Sequence, residues 1–90
     1  MRNGSAATAL MRVMLMKREV FRVGAGFRGL RVRSGRAWVT LGGRDLTPPR
    51  GQVMALDSKA GPAVISSLGH SPLVFELLGD VPRAAASDAG

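Results

Sequence analysis

The chain has 90 residues, 46% of them hydrophobic, with 12 glycines and no cysteine, so it holds one domain with a small core, and self-association is the expected further source of stability. Thirteen Lys and Arg against six Asp and Glu give a net charge of +7, a balance that attracts polyanions at long range. The lack of cysteine excludes disulfides and thiolate metal ligands and suits a reducing cytoplasm, the location expected here.

At the N-terminus, Ala9–Met16 is apolar apart from Arg12, too short for a membrane span of about 20 residues. As a signal peptide it fails too, since Arg12 interrupts the apolar run and no small-x-small cleavage site precedes Lys17-Arg18-Glu19. The reading is a flexible N-terminal arm over residues 1–17, frayed or partly helical, with a start at Met11, Met14 or Met16 as the alternative. A β domain over residues 18–79 follows, and an Ala/Ser/Asp/Gly-rich stretch over residues 80–90 reads as a disordered tail. No membrane partner is expected.

Within the β domain, Glu19–Val23 predicts a first strand, ended by Gly24-Ala25-Gly26. Leu30–Arg33 alternates apolar and charged residues, the period-2 pattern that puts Leu30 and Val32 inside and Arg31 and Arg33 outside. Arg36–Leu41 puts Ala37, Val39 and Leu41 on one face and Trp38 and Thr40 on the other. Ser34-Gly35 between them reads as a two-residue hairpin turn, and Gly42-Gly43 as the next. Arg44–Thr47 predicts a short strand closed by Pro48-Pro49-Arg50-Gly51, whose prolines bar it from a sheet interior. Gln52–Leu56, Ala63–Leu68 and Leu73–Leu78 complete the strands, and no helical period follows residue 20. The expected fold is all-β, a small antiparallel barrel or open sandwich. Its expected core is Leu30, Val32, Val39, Leu41, Leu56, Val64, Leu68, Leu73, Phe75 and Leu77.

The run Leu30–Leu41, with Asp45-Leu46, Arg50-Gly51-Gln52 and Ile65-Ser66-Ser67-Leu68-Gly69, resembles an uncharacterised bacterial domain-of-unknown-function family. The likeness centres on Gly35-Arg36-Ala37-Trp38-Val39-Thr40 and covers Val20 to Leu78. That family is itself similar to a minimal cupin-type barrel, so the resemblance implies a cupin-like fold. It implies no activity, because the family has none assigned. A cupin would normally hold a metal with several histidines and a glutamate, whereas this chain has only His70, expected as a surface turn residue.

Candidate chemistry is sparse. Gly24-Ala25-Gly26-Phe27-Arg28-Gly29 is a literal G-x-G-x-x-G, but it leads into a strand instead of the helix whose N-terminus would receive a pyrophosphate. Ser66, Ser67 and Thr40 have no nucleophile elbow around them and only His70 as a base. The six acids are scattered. No catalytic set, metal or cofactor is therefore predicted.

Two features have a physical case. Arg31 and Arg33 share a strand face, Arg36 opens the next strand, and Arg22 joins them if Glu19–Val23 pairs with Leu30–Arg33; that set could contact phosphates of a nucleic acid or another polyanion. The bland alternative is solvated charge on a half-buried sheet from an arginine-rich composition. Trp38 is expected to pack at the sheet or a dimer surface, with ligand stacking as the alternative. The function expected is a non-enzymatic module that self-associates and binds another protein or a small ligand in a barrel mouth, with polyanion binding as the alternative.

Overall fold

In the structure, a computed structural model, residues 8–79 are described, the Ser58 side chain excepted. Eight strands are formed: β1 (Thr8–Leu15), β2 (Val20–Arg22), β3 (Gly29–Ser34), β4 (Ala37–Leu41), β5 (Arg44–Leu46), β6 (Val53–Ala55), β7 (Val64–Ser67) and β8 (Leu73–Gly79), with a single 3₁₀ turn at Ser58–Ala60. They make two four-stranded antiparallel sheets, ordered β1-β8-β3-β6 and β2-β7-β4-β5. The fold class is the all-β sandwich that the alternation predicts. Of the successive strands only β4 and β5 pair with each other, while every other connection crosses between the sheets. This double-Greek-key order is a jelly roll. No helix among the described residues is long and apolar enough to cross a membrane.

Crossing at nearly every turn sorts the loops into two ends. The β1–β2, β3–β4, β5–β6 and β7–β8 connections gather at one end, tied by hydrogen bonds from Gly51 N–H to Val32 O (2.8 Å) and Leu68 N–H to Arg36 O (2.8 Å). The β2–β3, β4–β5 and β6–β7 connections gather at the other, tied by Val23 N–H to Ala63 O (2.9 Å) and Leu56 N–H to Arg28 O (2.9 Å).

The core lies between the sheets. Leu30 and Val32 of β3 and Leu73, Phe75 and Leu77 of β8 meet Ala37 and Val39 of β4 and Ile65 of β7, all fully buried. Each such large apolar side chain contributes about 1.5–3 kcal/mol by leaving water. The rings of Phe21 and Phe75 bridge the layers edge to face, with centroids 5.9 Å apart, a geometry favoured by the ring quadrupoles.

The structure corrects three expectations. Within the arm expected over residues 1–17, Thr8–Leu15 is a strand, paired with β8 along its length from Thr8 opposite Gly79 to Leu15 opposite Leu73. Residues 1–7 of that arm and the tail expected over 80–90 lie outside the described residues. The Ser34-Gly35 hairpin is also overturned: β3 pairs with β6 and β8, β4 with β5 and β7, and Ser34–Arg36 is a corner between sheets. Gly35 has φ of 78°, and a Cβ there would stand 2.3 Å from Pro72 O, so the corner is packed directly on the β7–β8 turn.

The third correction concerns the core. In β7, Ile65 is the residue turned inward, and the expected Val64 and Leu68 are only half-buried and outside the core cluster. Leu41 and Leu56 pack against its margin, and the other six expected residues are in it. The Gly42-Gly43 turn does form the expected hairpin, both glycines having positive φ (61° and 77°) and Leu41 pairing with Arg44.

Candidate binding sites at the two ends of the sandwich

The end formed by the β2–β3, β4–β5 and β6–β7 connections holds a cavity of about 420 Å³. Val23, Phe27, Leu41, Leu56 and Ala63 give it apolar walls, and Arg22 and Asp57 add one charge of each sign to its lining. The walls are held by the cross-loop bonds given above, together with Arg28 N–H to Leu78 O at 2.7 Å. Asp57 is oriented by accepting the Lys59 N–H on Oδ1 at 2.9 Å. The G-x-G-x-x-G segment runs from Gly24 to Gly29 straight into β3, with no helix, and its Gly24-Ala25-Gly26-Phe27 portion lines the cavity. Glycines here keep the opening wide: a Cβ at Gly24 or Gly26 would meet nothing within 4 Å.

The four arginines expected to form one face are separated. Arg22 is on β2, opposite Val64 in the second sheet, because β2 pairs with β7 and not with β3. Arg31 is on the outer face of the first sheet and is committed to a carboxylate: its Nε and Nη2 donate to Glu76 Oε1 at 3.1 and 3.0 Å, while Arg12 Nη2 donates to Glu76 Oε2 at 3.0 Å. In register, Arg12, Glu76 and Arg31 form a row across β1, β8 and β3. The two guanidinium groups leave the Glu76 side chain 7% exposed. Arg12 first, then Arg31, holds its carboxyl below the ordinary carboxylate value, against the opposing effect of burial. This triad was missed in the sequence; the available signal was a lone acid at an outward position of the apolar run Leu73–Leu78.

Arg33 and Arg36 flank the β3–β4 corner at the other end. Arg33 is the extra residue of a bulge in β3, between Val32 opposite Phe75 and Ser34 opposite Val74, and bulges re-aim the side chain they carry. Arg36 lines a second cavity, of about 270 Å³, together with Gly35, Thr47, Pro49 and Arg50. Arg50, which strand alternation gave no reason to select, thus joins Arg36.

Trp38 is 44% exposed on the outer face of the second sheet, opposite Ser66, which has Val20 on its other side. It belongs neither to the core cluster nor to the lining of either end cavity. His70 is exposed in the β7–β8 turn. Among the described residues no group of three or more His, Cys, Asp or Glu could hold a metal ion, so the donor set does not fit the metal of a typical cupin. In comparisons with protein-family models, curated proteins and solved structures, no match to this chain was found.

Proposed function

We propose that the protein is a non-enzymatic binding module that takes a small, largely apolar ligand into the cavity lined by Val23, Phe27, Leu41, Leu56 and Ala63, with Arg22 and Asp57 meeting its polar group. The observation that carries this reading is the cavity itself. Its volume of about 420 Å³ is within the range of ligand pockets, roughly 300–1,000 Å³, and apolar walls with a few convergent polar groups are their usual make-up. The jelly-roll order is one that cupins share, which supports the resemblance to a minimal cupin-type barrel without lending it a metal or a reaction.

The test is a thermal-shift screen of small apolar carboxylates and amines against the wild type and Gly24→Trp. Gly24 has a negative φ and open space beyond it, so the indole is expected to fill the opening without disturbing the fold. A ligand at 100 times its Kd stabilises by about 2.7 kcal/mol, and that gain is expected to vanish in Gly24→Trp. Ligands that stabilise both proteins equally, or a screen blank throughout, would overturn the reading.

A second copy of the chain is the partner this module is proposed to have. The supporting observation is β1, an eight-residue edge strand with Leu10, Met11 and Met14 exposed; a long apolar edge is a template for pairing. Light scattering is expected to give a multiple of the 9.4 kDa chain mass that falls to a monomer in Met14→Lys. A monomer at every concentration would sink it.

A further inference from the structure

We infer that the end of the sandwich opposite the apolar cavity is an anion site, built by Arg36 and Arg50 with Arg33 at the same end of β3, that takes successive phosphates of a nucleic-acid backbone. The inference is independent of the ligand proposed for the apolar cavity.

Two connections of the fold, β3–β4 and β5–β6, deliver Arg36 and Arg50 to one recess. Arg50 is carried by the β5–β6 loop, and the Gly51 N–H to Val32 O bond (2.8 Å) sets that loop beside the residue preceding Arg33. Arg36 follows the Gly35 corner, and its backbone is fixed by the Leu68 N–H to Arg36 O bond (2.8 Å). Arg36 and Arg50 therefore extend from backbone held by inter-loop bonds, so the ordering that binding requires is that of their side chains. Between Arg36 and Arg50 lies the recess of about 270 Å³, large enough for a phosphate group, and guanidinium groups match phosphate oxygens with paired donors.

The charge around the recess points the same way. The β1–β2 turn belongs to this end, since Leu15 pairs with Leu73 just after Pro72, and it displays Lys17 and Arg18. The carboxylate within that turn, Glu19, has Oε1 occupied by the Met16 N–H at 2.6 Å. Of the other described acids, Asp45 accepts from Thr40 Oγ1 at 3.0 Å on the outer face of the second sheet, Asp57 is in the opposite cavity, and Glu76 is held by Arg12 and Arg31. No ion pair occupies Arg36 or Arg50 among the described residues, while the Arg33 charge also acts on Glu76. Lys17, Arg18, Arg33, Arg36 and Arg50 outnumber Glu19, the one described carboxylate in the connections of this end, so the field here is net positive, as a polyanion requires. A membrane surface fits less well, because Met16 is the one exposed large apolar residue in the connections of this end. No Phe, Tyr or Trp occurs in those connections, whose one ring is the exposed His70 imidazole, so the contact is assigned to phosphates and not to bases.

The experiment is a fluorescence titration of a labelled single-stranded oligonucleotide at several salt concentrations, with three proteins: wild type, Arg36→Ala/Arg50→Ala and Arg44→Ala/Lys59→Ala. The second double variant removes the same charge from the opposite end. Three phosphate contacts predict that log Kobs falls with log salt at a slope of about −2, and losing two of them flattens it by about 1.4. The Arg36/Arg50 variant is expected to lose affinity and slope with an unchanged melting temperature, while the Arg44/Lys59 variant keeps both. Equal losses in the two variants, no salt-dependent binding by wild type, or anionic phosphatidylserine vesicles showing the same dependence on Arg36 and Arg50 would each overturn the inference.

Discussion

Replacing Glu76 by Gln tests the carboxylate at the centre of the first sheet. In the wild type three donors reach it: Arg31 through Nε and Nη2 on one oxygen, Arg12 through Nη2 on the other. Gln keeps the shape and one carbonyl oxygen for Arg31, but turns an amide N–H toward the Arg12 donor and removes the negative charge. The Arg12 side chain is 67% exposed, so its pairing is screened and worth little. Most of the loss comes from Arg31, whose two bonds are charge-assisted and better covered. The expected destabilisation is about 2 kcal/mol, which lowers the melting temperature by about 8–16 °C in a domain of this size.

The same residue sets a pH dependence. Its folded carboxyl titrates below the ordinary value of 4.5, so the ionised form contributes stability that is complete above that value. The contribution is lost as pH falls through the lower, folded-state value. Melting followed by circular dichroism should therefore show a gap between wild type and Glu76→Gln at neutral pH that closes in acid. Equal melting temperatures at neutral pH, or a gap undiminished in acid, would refute the assignment.

Three further outcomes follow from the packing. Gly35→Ala should cost about 2–4 kcal/mol because both φ and the backbone of Pro72 oppose it, whereas Gly43→Ala, with positive φ but open space, should cost about 1 kcal/mol; denaturant melts separate them. Ile65→Ala should cost about 2–5 kcal/mol and Val64→Ala under half of that, and the reverse order would mean that β7 is turned over. Trp38→Phe should leave stability within about 0.5 kcal/mol, and Trp38 fluorescence in the wild type should be quenched by added iodide, as its exposure dictates.

Much of the strand content was legible because burial of one face writes period 2 into each strand, and Leu30, Val32, Val39, Phe75 and Leu77 are all in the core as that pattern requires. What the pattern does not encode is which strand lies beside which. A hairpin and a corner between sheets both keep alternate residues facing the core, so Leu30–Arg33 and Arg36–Leu41 looked the same either way; the discriminating contact, Gly35 against Pro72, joins residues far apart in sequence. The apolar stretch at Thr8–Leu15 shows no alternation, since β1 is an edge strand exposed over most of its length, and its partner β8 is more than fifty residues away. For the sites, Arg22 parts from Arg31 because β2 pairs with β7 and not with β3, a choice of partner that alternation does not encode. The Arg31–Glu76–Arg12 triad spans separations of 45 and 64 residues, beyond any local motif.

The order of strands within the sheets also bears on how the protein comes into being at the ribosome. In each sheet an inner position is filled by a strand made late: β7 lies between β2 and β4, and β8 between β1 and β3. While the chain is being synthesised, β1 and β2 have no partner within the sheets, and β3 can pair only with β6. Phe75, Leu73 and Leu77, which seal the core, arrive with the final strand. The nascent polypeptide thus cannot assemble its sandwich piecemeal. Closing the first sheet requires β8, whose pairings with β1 and β3 are long-range, a class of topology that is expected to fold in milliseconds to seconds.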